Sequence, residues 1–252
     1  MSAKLTNIPD ISLIIPFYNE ADSITALINE INLVLSGKIK YEIIAVDDGS
    51  TDETAGILLR MVNEANYPLR IIRHVANYGQ SAAIHTGIQA ARATWVVTLD
   101  GDGQNDPGDI LKLIETRNHS TLKELKLING YRKKRQDSII KIISSRVANF
   151  VRGRVLHDMT PDTGCGLKLI HRTTFLNLPF FDHMHRFIPA LIRRAGGNIL
   201  SVEVSHRPRK AGQSKYNISN RLWVGIIDLL GMLWLVRRAK NPVKEEVTRY
   251  DD

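Results

Sequence analysis

The sequence predicts an α/β fold: a mostly parallel, Rossmann-like sheet flanked by helices. Three observations carry that expectation. Short apolar runs alternate with amphipathic helical runs through the first 130 residues. The apolar runs are nearly continuous, as in strands buried on both faces. Several of them also end in polar or acidic turns, so their loops should gather at one sheet edge.

Ile11 to Ile15 is the first such strand, and it runs into Pro16. Ile24, Leu27, Ile28, Ile31 and Leu35 follow at spacings of three and four, one face of a helix. Tyr41 to Val46 is a second buried strand, closed by Asp47-Asp48-Gly49-Ser50-Thr51. A helix through Ile57, Leu58, Met61 and Val62 leads to a third strand, Leu69 to Arg73. Ser81 to Arg92 is an Ala-containing helix, and Trp95 to Leu99 a fourth strand that runs into Asp100-Gly101-Asp102-Gly103-Gln104.

The pattern changes after Asn129-Gly130. Lys133 to Arg154 reads as a basic helix, and Gly166 to Ile170 and Ile199 to Val204 as further strands whose pairing the sequence does not reveal. Asn217 to Ala239 is the last helix, with Pro242 beyond its end. Its run Leu222 to Val236 is apolar apart from Gly225, Asp228 and Gly231. At 1.5 Å per residue it reaches roughly 22 Å, short of the hydrocarbon core. Trp223 and Trp234 share a face, and Arg221, Arg237, Arg238 and Lys240 flank the run. Two readings stand: a core or homo-oligomer interface helix, or a helix lying in the membrane interface. The expected division is residues 1–216 as the main domain and 217–252 as an apolar, basic-ended interfacial helix with a polar tail.

Composition narrows the class. Hydrophobic residues make up 43% and charged residues 24%, which excludes wholesale disorder. The single cysteine, Cys165, excludes an intramolecular disulfide and a Cys-based zinc cluster. Residues 1–129 hold 11 Lys and Arg against 16 Asp and Glu, a net of −5; residues 130–252 hold 23 against 10, a net of +13. The basic half wants phosphate, nucleic acid or an anionic membrane. Nucleic acid is the poorest fit, because the basic half lacks a recognised module and the acidic strand ends would repel a backbone. Met1 to Asp10 has no apolar run of signal-peptide length, so the chain is expected to stay in the cytosol.

The chemistry gathers at the strand ends. Glu20, Asp47, Asp48, Asp100 and Asp102 should converge on one edge. An Asp-x-Asp pair on a turn can offer hard oxygens to Mg²⁺ or Mn²⁺, which bind few carboxylates and take phosphate oxygens for the rest. His183-Met184-His185 has a spacing that could turn both rings to one side of an extended segment, but the surrounding Phe residues favour packing over metal.

Four motifs in order carry a resemblance: Pro16-x-Tyr18-Asn19-Glu20, Val46 to Asp52, Asn77-x-Gly79, and Asp100-x-Asp102-x-Gln104 with Pro107. They resemble the family 2 glycosyltransferases of GT-A fold. Gly130-Tyr131-Arg132, Ser145 to Asn149, Asp162 to Gly166 and Arg209-x-x-Gly212-x-Ser214-Lys215-Tyr216 are similar to the dolichyl- and polyprenyl-phosphate branch. Some relatives in that branch carry transmembrane helices after the catalytic domain.

The resemblance implies roles. Pro16, Tyr18 and Glu20 match a nucleoside-binding loop, and Asp47 the residue that reads base or ribose, while Asp48 is expected to cap its own turn. Asp100, Asp102 and Gln104 match a site for metal (Mg²⁺ or Mn²⁺) and donor phosphate, with Asp102 the principal ligand. Arg132 and Arg146 match an acceptor-phosphate site, and Arg209 and Lys215 a loop that closes over the donor diphosphate. Arg suits bidentate phosphate contact and Lys acts as a point charge. Asp162 is open between a base, an orienting group and a structural turn.

The implied reaction moves a sugar, with inversion, from a GDP- or UDP-hexose to a polyprenyl phosphate at the inner face of the membrane, for envelope glycan or lipid modification. A phosphate dianion needs no general base, whereas a sugar hydroxyl does. The alternatives are a family 2 transferase acting on a saccharide hydroxyl and, from another class, a non-catalytic protein that binds nucleotide sugar or nucleic acid.

Overall fold

The computed structural model describes residues 8–64, 67–133, 153–154, 156, 160–208 and 218–240, without the side chains of 64 and 218–223. The described strands are β1 (Ile11–Phe17), β2 (Tyr41–Asp47), β3 (Leu69–Arg73), β4 (Trp95–Thr98), β5 (Leu125–Arg132), β6 (Lys168–His171) and β7 (Asn198–Val204). They form one sheet in the order β3-β2-β1-β4-β6-β5-β7. All pairs are parallel except those of β6, which runs antiparallel to both β4 and β5.

Every residue of β1 is buried, as its unbroken apolar run predicts. Successive side chains go to opposite faces. Leu13, Ile15 and Phe17 join one core cluster with Ile24, Leu27 and Ile28 of α1 (Ala21–Leu35), Leu58 of α2 (Thr54–Glu64) and Leu113 of α4 (Asp109–His119). Ile14, Ile44 and Val46 face the other layer, against Ala83, Ile84 and Ile88 of α3 (Gln80–Ala90). Phe175 of α5 (Arg172–Leu176) and Leu191 of α6 (Ile188–Arg194) belong to that second cluster. Two apolar faces on one sheet require two covering layers, and the loops at its edge are then carried on a rigid slab. Pro16 costs no hydrogen bond to β4, because that pairing ends at Ile14 with Thr98, and Pro16 lies beyond it.

Two described elements differ from expectation. The helix α4 was not anticipated, nor was β5, which runs straight through Asn129-Gly130, a pair of residue types common in turns. Asn129 is fully buried, and its Nδ2 donates to Gly130 O at 2.7 Å and Asp162 O at 2.9 Å. A Cβ on Gly130 would stand 2.8 Å from Leu167 O, so the glycine serves close approach to the neighbouring strand rather than a reversal. The basic helix expected over Lys133 to Arg154 lies almost wholly outside the described residues.

The last helix, α7 (Ile218–Arg237), lies against the second layer. Met232 is buried there, with Leu229, Leu233, Leu235 and Val236 packed against the same cluster. His183 Nδ1 meets Asp228 Oδ2 at 3.1 Å, and Arg194 Nε donates to Leu235 O at 3.0 Å. The other face presents Ile226, Ile227, Leu230 and Trp234, the last three 61–66% exposed. The helix is therefore part core and part open apolar surface. No helix among the described residues is long and apolar enough to cross a membrane.

Candidate active site

The loops after β1, β2 and β4 are laced into one rim. Asp48 N donates to Phe17 O at 2.8 Å, and Asn19 N to Ser50 Oγ at 3.0 Å. Thr51 N donates to Asn19 Oδ1 at 2.8 Å, and Glu20 N to Thr54 Oγ1 at 3.0 Å. Ser23 Oγ donates to Gly101 O at 2.6 Å, tying the start of α1 to the loop after β4. The Pro16, Tyr18 and Glu20 segment thus stands beside both acidic turns. Tyr18 is part-exposed on this rim.

Asp47 and Asp48 do different work. Asp47 is fully buried; its Oδ1 accepts from Ser50 N at 2.9 Å. Its Oδ2 accepts no hydrogen bond, although Arg73 Nε lies 3.1 Å away. A buried carboxylate oxygen without a hydrogen bond is costly, and a donor on a bound ligand would satisfy it. Asp48 does not cap its own turn as expected. It accepts from Tyr78 N at 2.9 Å and Gly79 N at 2.8 Å and meets His74 Nδ1 at 2.7 Å, so it pins the loop ahead of α3.

The loop after β4 holds Asp100, Asp102 and Gln104. Asp100 Oδ1 accepts from Gln80 Nε2 at 2.8 Å, and its backbone N–H donates to Asn105 Oδ1 at 3.2 Å. Gly166 backs this carboxylate so tightly that an added Cβ would stand 2.2 Å from Asp100 Oδ2. Burial, and then the neighbouring Asp102, push Asp100 up to about 6, against the opposing pull of Lys168 and Arg132. Asp102 stands further out, its Oδ1 accepting from Gln104 N at 3.1 Å. Gln104 turns toward the segment after β7: Arg207 N donates to Gln104 O at 3.0 Å, and Gln104 Nε2 to Arg207 O at 3.3 Å. Asn105 and His206 form a β-bridge beside them. Arg207 fastens the strap, with Nη1 2.9 Å from Glu30 Oε2 and Nη2 2.8 Å from Asp106 Oδ2. Arg209 and Lys215 lie outside the described residues, but the chain that leads to them starts against the Asp-x-Asp loop.

On the far side of Asp100, Arg132 and Asp162 form a buried two-point pair: Nε to Oδ2 at 2.7 Å and Nη2 to Oδ1 at 3.1 Å. Burial alone would lower Arg132, but the hydrogen bond and charge of Asp162 outweigh it and raise it. Arg146 lies outside the described residues. Lys168 was missed by sequence reasoning. It is buried on β6, donates to the carbonyl of Cys165, and is lowered by that burial. The signal was a lone Lys inside the apolar run Leu167 to Ile170. Gln80 was missed too, because nothing in its sequence neighbourhood marks its reach to Asp100.

His183 and His185, whose spacing could turn both rings to one side of an extended segment, sit instead at a short 3₁₀ turn, Met184–Arg186. His183 meets Asp228, whereas the half-buried His185 meets Ser81 Oγ at 2.7 Å through Nδ1. Burial, then Arg186 and Lys168, hold His185 well below the usual histidine range. No three His, Cys, Asp or Glu side chains among the described residues group to hold a metal. One or two carboxylates at a phosphate site are the usual protein share for Mg²⁺, so Asp102 with Asp100 behind it fits such an ion.

A mostly parallel sheet of this order, with an acidic rim outside its parallel strand ends, has the arrangement of a GT-A-like fold. Residues 12–175 match the family described as Glycosyl transferase family 2, and the chain belongs to that family. It is 35% identical over 237 residues to a dodecaprenyl-phosphate galacturonate synthase of Rhizobium johnstonii, covering 92% of this chain and 69% of that one. It is 32% identical over 215 residues to an undecaprenyl-phosphate 4-deoxy-4-formamido-L-arabinose transferase of Pectobacterium atrosepticum, covering 84% of this chain and 64% of the relative. The chain therefore spans about two thirds of these relatives.

Solved structures agree on the fold. Glucosyl-3-phosphoglycerate synthase from Mycobacterium tuberculosis, in complex with Mn²⁺, UDP and glucosyl-3-phosphoglycerate, superposes with a TM-score of 0.64 at 19% identity, covering 93% of this chain and 81% of that one. A mannosyltransferase from Pyrobaculum calidifontis, in complex with GDP-Man and Mn²⁺, gives 0.63 at 19% identity, covering 94% and 67%.

Proposed function

We propose that the chain transfers a sugar from a nucleotide-sugar donor to the phosphate of a polyprenyl phosphate. The observation that carries this reading is the joined acidic rim of Asp47, Asp100 and Asp102 beside the Arg132–Asp162 pair, in a family 2 chain whose relatives are named for polyprenyl-phosphate sugar transfer. In this reading Tyr18 and Glu20 flank the nucleoside, and Asp47 offers it the oxygen that accepts no hydrogen bond. Asp102, with Asp100 and Gln104, would hold Mg²⁺ or Mn²⁺, whose charge screens the donor diphosphate as it leaves. Arg209 and Lys215 follow the strap at Arg207 and add positive charge to the same phosphates.

Asp162 then acts on Arg132. A carboxylate engaged through both oxygens by one guanidinium is a poor proton acceptor, and a phosphate dianion asks for none. This favours a phosphate acceptor over a saccharide hydroxyl. Arg132 keeps N–H groups beyond the two that Asp162 takes, and with Arg146 it would orient the acceptor phosphate. Displacement at the anomeric carbon then proceeds with inversion.

Residues 1–216 form the catalytic unit in this reading, and 217–252 bring it to the inner face of the membrane. The exposed Ile227, Leu230 and Trp234 support that placement, with Arg237, Arg238 and Lys240 at the end of the same helix. The test is a panel of GDP- and UDP-sugars offered with a polyprenyl phosphate, divalent metal and detergent, with the lipid fraction read by mass spectrometry. A glycosylated lipid phosphate is expected. Product on a saccharide hydroxyl alone would overturn the acceptor assignment.

A further inference from the structure

Asp100 stands two residues before Asp102 on the loop after β4, and Gln80 supplies its side-chain hydrogen bond, Nε2 to Oδ1 at 2.8 Å. Gly166 presses against the other carboxylate oxygen but donates nothing to it from a side chain. Gln80 itself opens α3 and is anchored on both sides in the chain. Before it, Asp48 accepts from Tyr78 N and Gly79 N. After it, Ser81 Oγ meets His185 Nδ1 at 2.7 Å and accepts from His185 N at 3.2 Å. The first turn of α3 is thereby fixed to the turn after β2 on one side and to the 3₁₀ turn on the other.

We infer that Gln80 is a positioning residue that sets the orientation in which the Asp100 carboxylate meets a divalent cation. The inference rests on the donor-site reading proposed above. The residue type suits the task. A neutral amide N–H fixes a carboxylate oxygen while leaving its negative charge available, whereas a Lys or Arg at the same place would neutralise it. Hydrogen-bond partners behind a metal ligand typically govern affinity by about 10- to 100-fold. Gln80 contacts the site through its hydrogen bond to Asp100 Oδ1, so it acts through that residue and not on the reacting atoms.

The test uses Gln80→Met, which keeps length and apolar packing and removes the donor, with Mn²⁺ binding measured by calorimetry in the presence of UDP and, separately, of GDP. The parent is expected to bind Mn²⁺ with at least one nucleotide, and Gln80→Met to bind it about 10-fold or more weakly at an unchanged melting temperature. Donor KM should rise with it, while acceptor KM stays in place. In an Asp100→Asn background the same substitution should add less than about threefold, because the two act as one unit. Mn²⁺ binding by Gln80→Met equal to the parent's would overturn the inference and leave the donor site standing. So would an equal loss in the Asp100→Asn background, which would put the action of Gln80 elsewhere. A parent that binds Mn²⁺ with neither nucleotide would overturn the donor-site reading and the inference with it.

Discussion

Asp102 and Asp100 are both acidic and two residues apart, yet they sit in different surroundings. Asp102 stands on the turn beyond a buried strand, so Asp102→Ala should leave melting unchanged and cut transfer on the order of a hundredfold or more. A parent-like rate for that variant in the presence of EDTA would sink its role as metal ligand. Asp100 is packed against Gly166. A methyl group there meets the carboxylate at 2.2 Å, and overpacking of this kind costs about 1–3 kcal/mol. Gly166→Ala should therefore lower the melting temperature and the rate together; thermal melts beside turnover read both. Asp162→Asn tests the acceptor chemistry. If the nucleophile is a phosphate dianion, the acidic limb of kcat/KM near about pH 6 survives the change even as the rate falls. Loss of that limb would make Asp162 the base. The acidic residues were legible because carboxylates after buried strands have few structural reasons to cluster. Gln80 and Lys168 were not, since their partners lie 20 and three residues away, across a sheet edge and around a turn.

The helix α7 divides its length between two environments. Asp228, Leu229, Met232 and Leu233 turn inward to His183 and the second core, and Ile227, Leu230 and Trp234 turn outward. Spacing alone predicts a helix apolar on nearly all sides, and such a helix gives no hint of which stripe the core will take. Basic side chains near an anionic surface contribute about 1 kcal/mol each and weaken with salt. The exposed apolar stripe adds a part that salt leaves in place. Binding to anionic vesicles should fall with salt without vanishing, and Leu230→Ser with Trp234→Ser should reduce both vesicle binding and use of long-chain acceptor. Co-sedimentation beside light scattering checks this: a change in assembly mass with vesicle binding intact would mark a homo-oligomer interface instead. The strand β5 taught the opposite lesson. Its Asn-Gly pair carries a strong local turn signal, which burial of Asn129 and the close approach of Leu167 override.

Across the whole molecule the charge balance of buried groups sets a pH window. Above about pH 6.5 His185 is neutral whether folded or unfolded. Below it the unfolded chain binds a proton that the folded chain refuses, because burial holds the folded ring well below that value, so this residue's effect on stability turns unfavourable as pH falls. Asp100, raised to about 6, works in the opposite sense over the same window, since the folded chain takes up its proton first. The contribution of His185 is therefore read as a difference. The melting advantage of the parent over His185→Gln should shrink between about pH 7.5 and 5; a constant gap would contradict it. The alternation of strands and helices revealed the layered architecture, since both faces of the central strands are apolar. The place of β6 was hidden, because a four-residue strand carries too little pattern to say which edges it will join.

That placement has a consequence for the order in which the protein can be made. A ribosome delivers β1 to β4 first, and they can associate as soon as they emerge. The next strand, β5, cannot join them, because the slot beside β4 belongs to β6, some 40 residues later in the chain. Until Lys168 to His171 has been synthesised, β4 and β5 both offer raw edges, the kind of surface on which nascent chains stick to one another. Chains cut short before β6 should therefore be found in aggregates, while those extended past His171 can bring the two halves of the sheet together. Because β6 also brings Lys168 near Asp100, the step that closes the gap between β4 and β5 is also the step at which the acidic rim gains its buried counter-charge.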